Sequence, residues 1–125
     1  MTKHRILIVD DDQAIADTLQ EWLEMNGYEV TVAIGADEVT WLSNWQWQRY
    51  DCIVTGINQL GLNGLDFADL VISNNGPPVI VMSGYKTEDV RMKAYDIGAT
   101  VFIAKPFDLR DFLKAVNYCC EKKHK

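Results

Sequence analysis

No stretch of this sequence approaches the roughly 18–20 consecutive apolar residues that a membrane-spanning helix needs. The start, Met1 to Arg5, has no signal-peptide cleavage pattern and leads straight into a short apolar strand. Cysteine is scarce. Cys52, Cys119 and Cys120 are odd in number and match no zinc spacing. Cys52 lies in an apolar run and reads as a small core residue. Of the neighbours Cys119 and Cys120, one is expected to pack and the other to face solvent. Positive charge is also in short supply, with 12 basic against 18 acidic residues and a net charge of −6. That excludes a broad basic surface for direct nucleic-acid binding. The basic run Lys122, Lys123 and Lys125 reads as a short solvated tail. There is no internal repeat, linker or low-complexity segment. These absences leave no membrane and no nucleic-acid role, and they point to the reducing cytoplasm.

What is present is ordinary globular material. The chain has 125 residues, 48% hydrophobic and 24% charged, which suits one domain over 1–125 with a core of its own. Ile6 to Val9 is a continuous β-branched and apolar run, the mark of a strand buried on both faces. Asp10, Asp11 and Asp12 follow at once. Asp12 is a plausible N-cap for a helix over 13–26, in which Ile15, Leu19, Trp22 and Leu23 keep helical spacing and Gly27 supplies the stop. A strand over 28–33 and a helix over 36–48 come next. Then follow a strand over 52–55, a glycine-containing loop over 56–64 and a helix over 65–72. A strand over 79–82 precedes a helix capped by Thr87 and carrying Val90, Ala94 and Ile97 on one face. Last come a strand over 101–104 and a helix opened by Asp108, with Leu109, Phe112 and Val116 inward. Five alternations of strand and helix predict a parallel sheet covered on both faces.

In such sheets ligands bind at the carboxyl ends of the strands. Those ends carry Asp10 and Asp11 after the first strand and Gly56, then Asn58, after the third. Ser83 and Gly84 follow the fourth, and Lys105 and Pro106 the fifth. Acids, a hydroxyl and a lysine on one edge suit a hard cation and a phosphoryl group. Taken alone, three adjacent acids could be a helix start attracted by the dipole, Ser83 a turn residue, and Phe102 a core phenylalanine. Three adjacent acids repel, however, and only one can cap.

The segments 6–12, 81–84 and 102–107 resemble the signatures of receiver domains of two-component response regulators, in order and at suitable spacing over nearly the whole chain. The resemblance implies a flavodoxin-like fold with a five-stranded, doubly wound parallel sheet in the order 2-1-3-4-5. It implies a chemistry in which an aspartate takes a phosphoryl group from a histidine kinase with magnesium bound. Magnesium would be held by Asp11 directly, by Asp10 through water and by the Asn58 carbonyl. Ser83 and Lys105 would sense the phosphoryl group, and Ser83 with Phe102 would form the switch.

The resemblance breaks at the centre. Gly56 stands where the acceptor aspartate belongs, and Leu60 replaces the usual proline, while Gly61 and Gly64 keep the frame. A glycine has no carboxylate to phosphorylate. Thr55 points to the opposite face and lacks an activating base. Asp51 is roughly 16 Å away at about 3.3 Å per residue. No catalytic residue is therefore assigned. The magnesium site is expected to be weak, and Lys105 is expected to pair directly with Asp10 or Asp11.

The first functional reading is a degenerate receiver, not an enzyme. It would act by contact with a histidine kinase, a phosphotransfer protein, an output domain or a second copy. The alternative is a working phosphoacceptor in which Gly56 is a laboratory substitution or another residue accepts phosphate. A flavin binder shares the fold, but Asp10 to Asp12 would repel its phosphate. Candidate interface residues are Trp41, Trp45 and Trp47, if they form an exposed aromatic patch. Others are Arg91, Tyr95 and Arg110 on the face of the fourth helix, fifth strand and fifth helix. The competing expectation for the tryptophans is that they fold down over the helix end and the Tyr50 turn.

Overall fold

Ile6, Leu7, Ile8 and Val9 have no solvent exposure. In the computed structural model, which describes residues 3–34, 44–57, 64–84 and 88–123, they form β1 (Arg5–Val9), an interior strand of a five-stranded sheet. The other strands are β2 (Glu29–Ala33), β3 (Cys52–Gly56), β4 (Val79–Ser83) and β5 (Val101–Ala104). All pairings are parallel and the order is β2-β1-β3-β4-β5, as the resemblance implies.

The described helices are α1 (Gln13–Met25), α2 (Asn44–Trp47), α3 (Gly64–Ser73), α4 (Glu88–Asp96) and α5 (Leu109–Lys123). Successive strand residues face opposite sides of a sheet. Ile6 and Ile8 accordingly join Leu19 and Leu23 of α1 and Phe112 and Val116 of α5 on one side. Leu7 and Val9 join Phe67 and Val71 of α3 and Ala94 of α4 on the other. Gly27, the expected stop of the first helix, and Gly98, just after α4, both have left-handed backbones, with φ +90° and +102°.

Some expectations are corrected. Both Cys119 and Cys120 are buried, 0% and 2% exposed. They extend the inward stripe Phe112, Ala115, Val116, which is wide enough for two neighbouring positions about 100° apart. Lys123 is not a free tail residue. Its ammonium donates to the Gln48 carbonyl at 2.9 Å and to the Tyr50 carbonyl, tying α5 to the turn after α2. Trp47 is only 3% exposed and packs with Leu7, Val9 and Ala33, so it contributes nothing to an exposed aromatic patch. Its ring lies in the same apolar cluster as Tyr50. Of the helix expected over 36–48, only the turn at Asn44–Trp47 is described. Trp41, the side chain of Trp45, Asn58 and Thr87 lie outside the described residues.

β5 reads in sequence like the central strands, yet all four of its residues are only partly buried. It is one of the two outer strands, paired on one edge alone. Part of that open edge is closed by a side chain: the Tyr95 hydroxyl accepts the Phe102 N–H at 3.2 Å.

Candidate functional site at the carboxyl edge of the sheet

β1 and β3 end side by side. Val9 is in register with Thr55, so the next step along both strands places Asp10 beside Gly56. The Asp10 N–H still donates to the Ala33 carbonyl of β2 at 3.1 Å, which holds its backbone in the sheet. Its side chain is 1% exposed. A buried carboxylate needs partners, and Asp10 has two. Oδ1 accepts the Asp12 N–H at 2.9 Å. Oδ2 accepts from Lys105 Nζ at 3.1 Å, with the lysine side chain 23% exposed. The expected ion pair is thus present, and its acid is Asp10. Asp11 is exposed.

Lys105 reaches this point from the end of β5. Its N–H donates to the Ser83 carbonyl at 2.7 Å, which registers the end of β5 against the end of β4. The Lys105–Pro106 peptide is cis. Ser83 is the last residue of β4 and is 2% exposed. Phe102 lies partly buried on the sheet side that carries Leu7 and Val9.

Gly56 ends β3. A Cβ built there would stand 2.6 Å from Asp10 Oδ2 and 3.0 Å from Asp10 Cγ. The space beside the Gly56 Cα is therefore already taken by the Asp10 carboxylate. The same backbone is approached from below by Gly64, whose N–H donates to the Ile57 carbonyl at 3.2 Å. A Cβ on Gly64 would fall 1.9 Å from the Gly56 carbonyl oxygen, so only glycine fits at the start of α3. Thr55 is fully buried, and its hydroxyl donates to the Gly56 carbonyl at 3.3 Å.

These donors do not fit a divalent cation as they stand. Magnesium is held by carboxylate, carbonyl and water oxygens in near-octahedral array. Here both Asp10 oxygens already hold an amide and an ammonium, position 56 offers no carboxylate, and Asp11 points outward. Among the described residues no three His, Cys, Asp or Glu side chains come together as a metal group.

The candidate interface residues lie elsewhere. Arg91 and Tyr95 are exposed on α4; the guanidinium lies 5.3 Å from the tyrosine ring centre and pairs with Glu88 at 3.0 Å. Arg110 is exposed at the start of α5, paired with Asp108 at 3.0 Å. Hydrogen bonds from Arg110 hold the Asp108 carboxyl below its ordinary value. The signal that sequence reasoning missed is the seating of Asp10 against Gly56. Register alone placed the two side by side, but only atomic volumes show that one occupies the other's space.

The family model described as "Response regulator receiver domain" matches residues 6–117. The regulatory protein VirG of Rhizobium radiobacter is 31% identical over 116 residues, which cover 92% of this chain and 42% of that protein. The transcriptional regulatory protein PrrA of Mycobacterium leprae is 34% identical over 114 residues, covering 90% and 48%. The chain thus spans about half the length of the curated relatives it matches, or less. Among solved structures, a CheY-like receiver domain protein from Methanospirillum hungatei is 27% identical with a TM-score of 0.86, covering 98% of each chain. The non-phosphorylated HemR receiver domain of Leptospira biflexa is 29% identical with a TM-score of 0.82, covering 94% of each.

Proposed function

The chain belongs to the response regulator receiver domain family, and from that premise we propose that it is a receiver that takes no phosphoryl group and signals through protein contact. The observation that carries this is Gly56 at the end of β3, which we read as the family's acceptor position. Phosphoryl transfer to a receiver needs a carboxylate as nucleophile, and position 56 has none. The carboxylate nearest to it, Asp10, is buried and committed to Lys105. Thr55 has its hydroxyl turned to a backbone carbonyl.

On this reading Lys105 and Ser83 retain the places of the phosphate-sensing pair, and Phe102 that of the switch aromatic, with no phosphoryl group to read. The tight magnesium binding typical of receiver domains is lost. The partners are those of a receiver: a histidine kinase, a phosphotransfer protein, an output domain or a second copy. The contact face is the exposed surface of α4 and α5 carrying Arg91, Tyr95 (41% exposed) and Arg110, with Met92 53% exposed on α4.

The test is intact mass after incubation with a small-molecule phosphodonor and magnesium, beside an aspartate-bearing receiver as control. The expected result is one added phosphoryl group on the control and none on this protein. A gain on this protein would establish the phosphorylatable alternative, and exposed Asp11 would be the first residue to map.

A further inference from the structure

Gly56, Asp10 and Lys105 fit together in a way that neither the ion pair nor the glycine explains alone. The Asp10 carboxylate is 1% exposed and lies where a side chain of residue 56 would begin, 2.6 Å from an ideal Cβ. In that seat, and held there by the Asp12 N–H at 2.9 Å, it presents Oδ2 to Lys105 Nζ at 3.1 Å. We propose that Asp10, admitted by the absence of a side chain at position 56, binds the Lys105 ammonium as the site's built-in cation, and that this closed pair excludes a divalent metal. This deepens the reading above and rests on it in taking position 56 as the acceptor position.

The physical reasons are three. First, a buried carboxylate stays charged only beside an opposite charge or strong donors, and Lys105 supplies the charge without importing an ion. Second, a metal entering between Asp10 and Asp11 would meet an ammonium already on one of its two acids. Like charges a few ångströms apart in a partly buried site repel strongly. Third, the seat exists only for glycine. Asp10 is short and held at both oxygens, so to admit a methyl group at 56 its carboxylate must shift, and the shift is felt at the Asp12 amide or at the Lys105 contact.

Two variants separate the parts. Lys105→Met removes the internal cation and leaves the acids. Gly56→Ala removes the seat and leaves both charges. Lys105→Arg keeps a cation and serves as the conservative control. The readout is amide and carboxyl-carbon NMR of residues 9–12, with Mn2+ titrated as a paramagnetic probe and Mg2+ as its diamagnetic counterpart. The wild type and Lys105→Arg are expected to show no saturable broadening at Asp10 to Asp12. Lys105→Met is expected to gain saturable Mn2+ binding at these residues, at least ten-fold tighter than any in the wild type. In Gly56→Ala the Asp12 amide and the Asp10 carboxyl carbon should both shift before any metal is added.

Saturable binding in the wild type equal to that of Lys105→Met overturns the proposal, and so does a Gly56→Ala spectrum unchanged at Asp10 and Asp12. Should a variant fail to fold, the wild-type titration decides by itself. Tight wild-type Mn2+ binding in a protein that still takes no phosphoryl group would refute the internal pair and leave the proposed function standing.

Discussion

Asp12 accepts the Ile15 N–H at 3.2 Å and so caps α1, while Asp10, two residues earlier, is turned into the sheet edge toward Lys105. Between them Asp11 faces solvent. The three neighbours should therefore respond differently to loss. Asp12→Ala leaves an orphan N–H in the first turn and should destabilise the protein by about 1 kcal/mol. Asp11→Ala removes only an exposed charge flanked by like charges, and should stay within about 0.5 kcal/mol of the wild type. Urea unfolding of the two variants checks this; equal losses would mean that Asp11 shares the capping or the ion pair. The capping role was legible in the sequence, since an acid just before a helical repeat has few other local uses. So was an ion pair for Lys105. Which acid would take it was not, because that depends on the empty space at Gly56 and on the direction of a side chain.

α5 shows where element-level reading succeeds and where it fails. Its bounds and its inward Phe112 and Val116 follow from spacing. The inclusion of both Cys119 and Cys120 does not, because the width of the buried stripe is set by how the helix lies on the sheet. Cys52 from β3 and both α5 cysteines are buried, and burial pushes the Cys52 thiol well up. A thiol in that state is a slow nucleophile; a hydrogen bond with Cys52 lowers the Cys119 thiol instead, and what shields Cys119 from a reagent is its lack of any solvent exposure. A thiol reagent should find no reactive cysteine in the folded protein and all three after denaturation. Rapid reaction of one thiol in native buffer would show that the end of α5 frays. The strands were the most legible elements, because burial on both faces demands unbroken apolar runs. β5 breaks the equivalence: its apolar run matches those of β3 and β4, but its place at a sheet edge leaves it partly open. Trp47 illustrates the opposite ambiguity, since an aromatic on a short helix has the same sequence signature whether it faces a partner or its own core.

At the scale of the whole molecule, the base of the domain is sensitive to alkali. Tyr28 packs against α5, its hydroxyl hydrogen-bonded to Asn117. Burial first, and then neighbouring Cys120, push its pKa from 10.0 to about 12. Burial likewise raises Cys120 from 9.0 to about 12. Both groups hold their protons in the folded state where the unfolded chain releases them. Stability should thus be unaffected by these groups below pH 9 and fall as pH rises from about 9 to about 12. Tyr28→Phe should flatten the upper part of that fall, measured as the urea midpoint against pH. A midpoint that climbs across this range would contradict the burial of both groups. The global fold itself was available from the order of elements and the three signature segments. The closed state of the site was not, because it arises from volumes contributed by strands 46 residues apart in sequence at their ends, Asp10 and Gly56.

On the proposed reading, the crowding of Asp10 against position 56 also constrains history. A side chain at 56 and Asp10 in its present seat would overlap, so the arrangement seen goes with the glycine. An aspartate returning to 56 would meet a second carboxylate 2.6 Å from where its Cβ must stand, already neutralised by the lysine it would need. Reversion at that codon alone recreates the missing atom but not the vacancy around it. The descendants of such a protein are steered away from their ancestral chemistry and toward whatever binding they have since acquired.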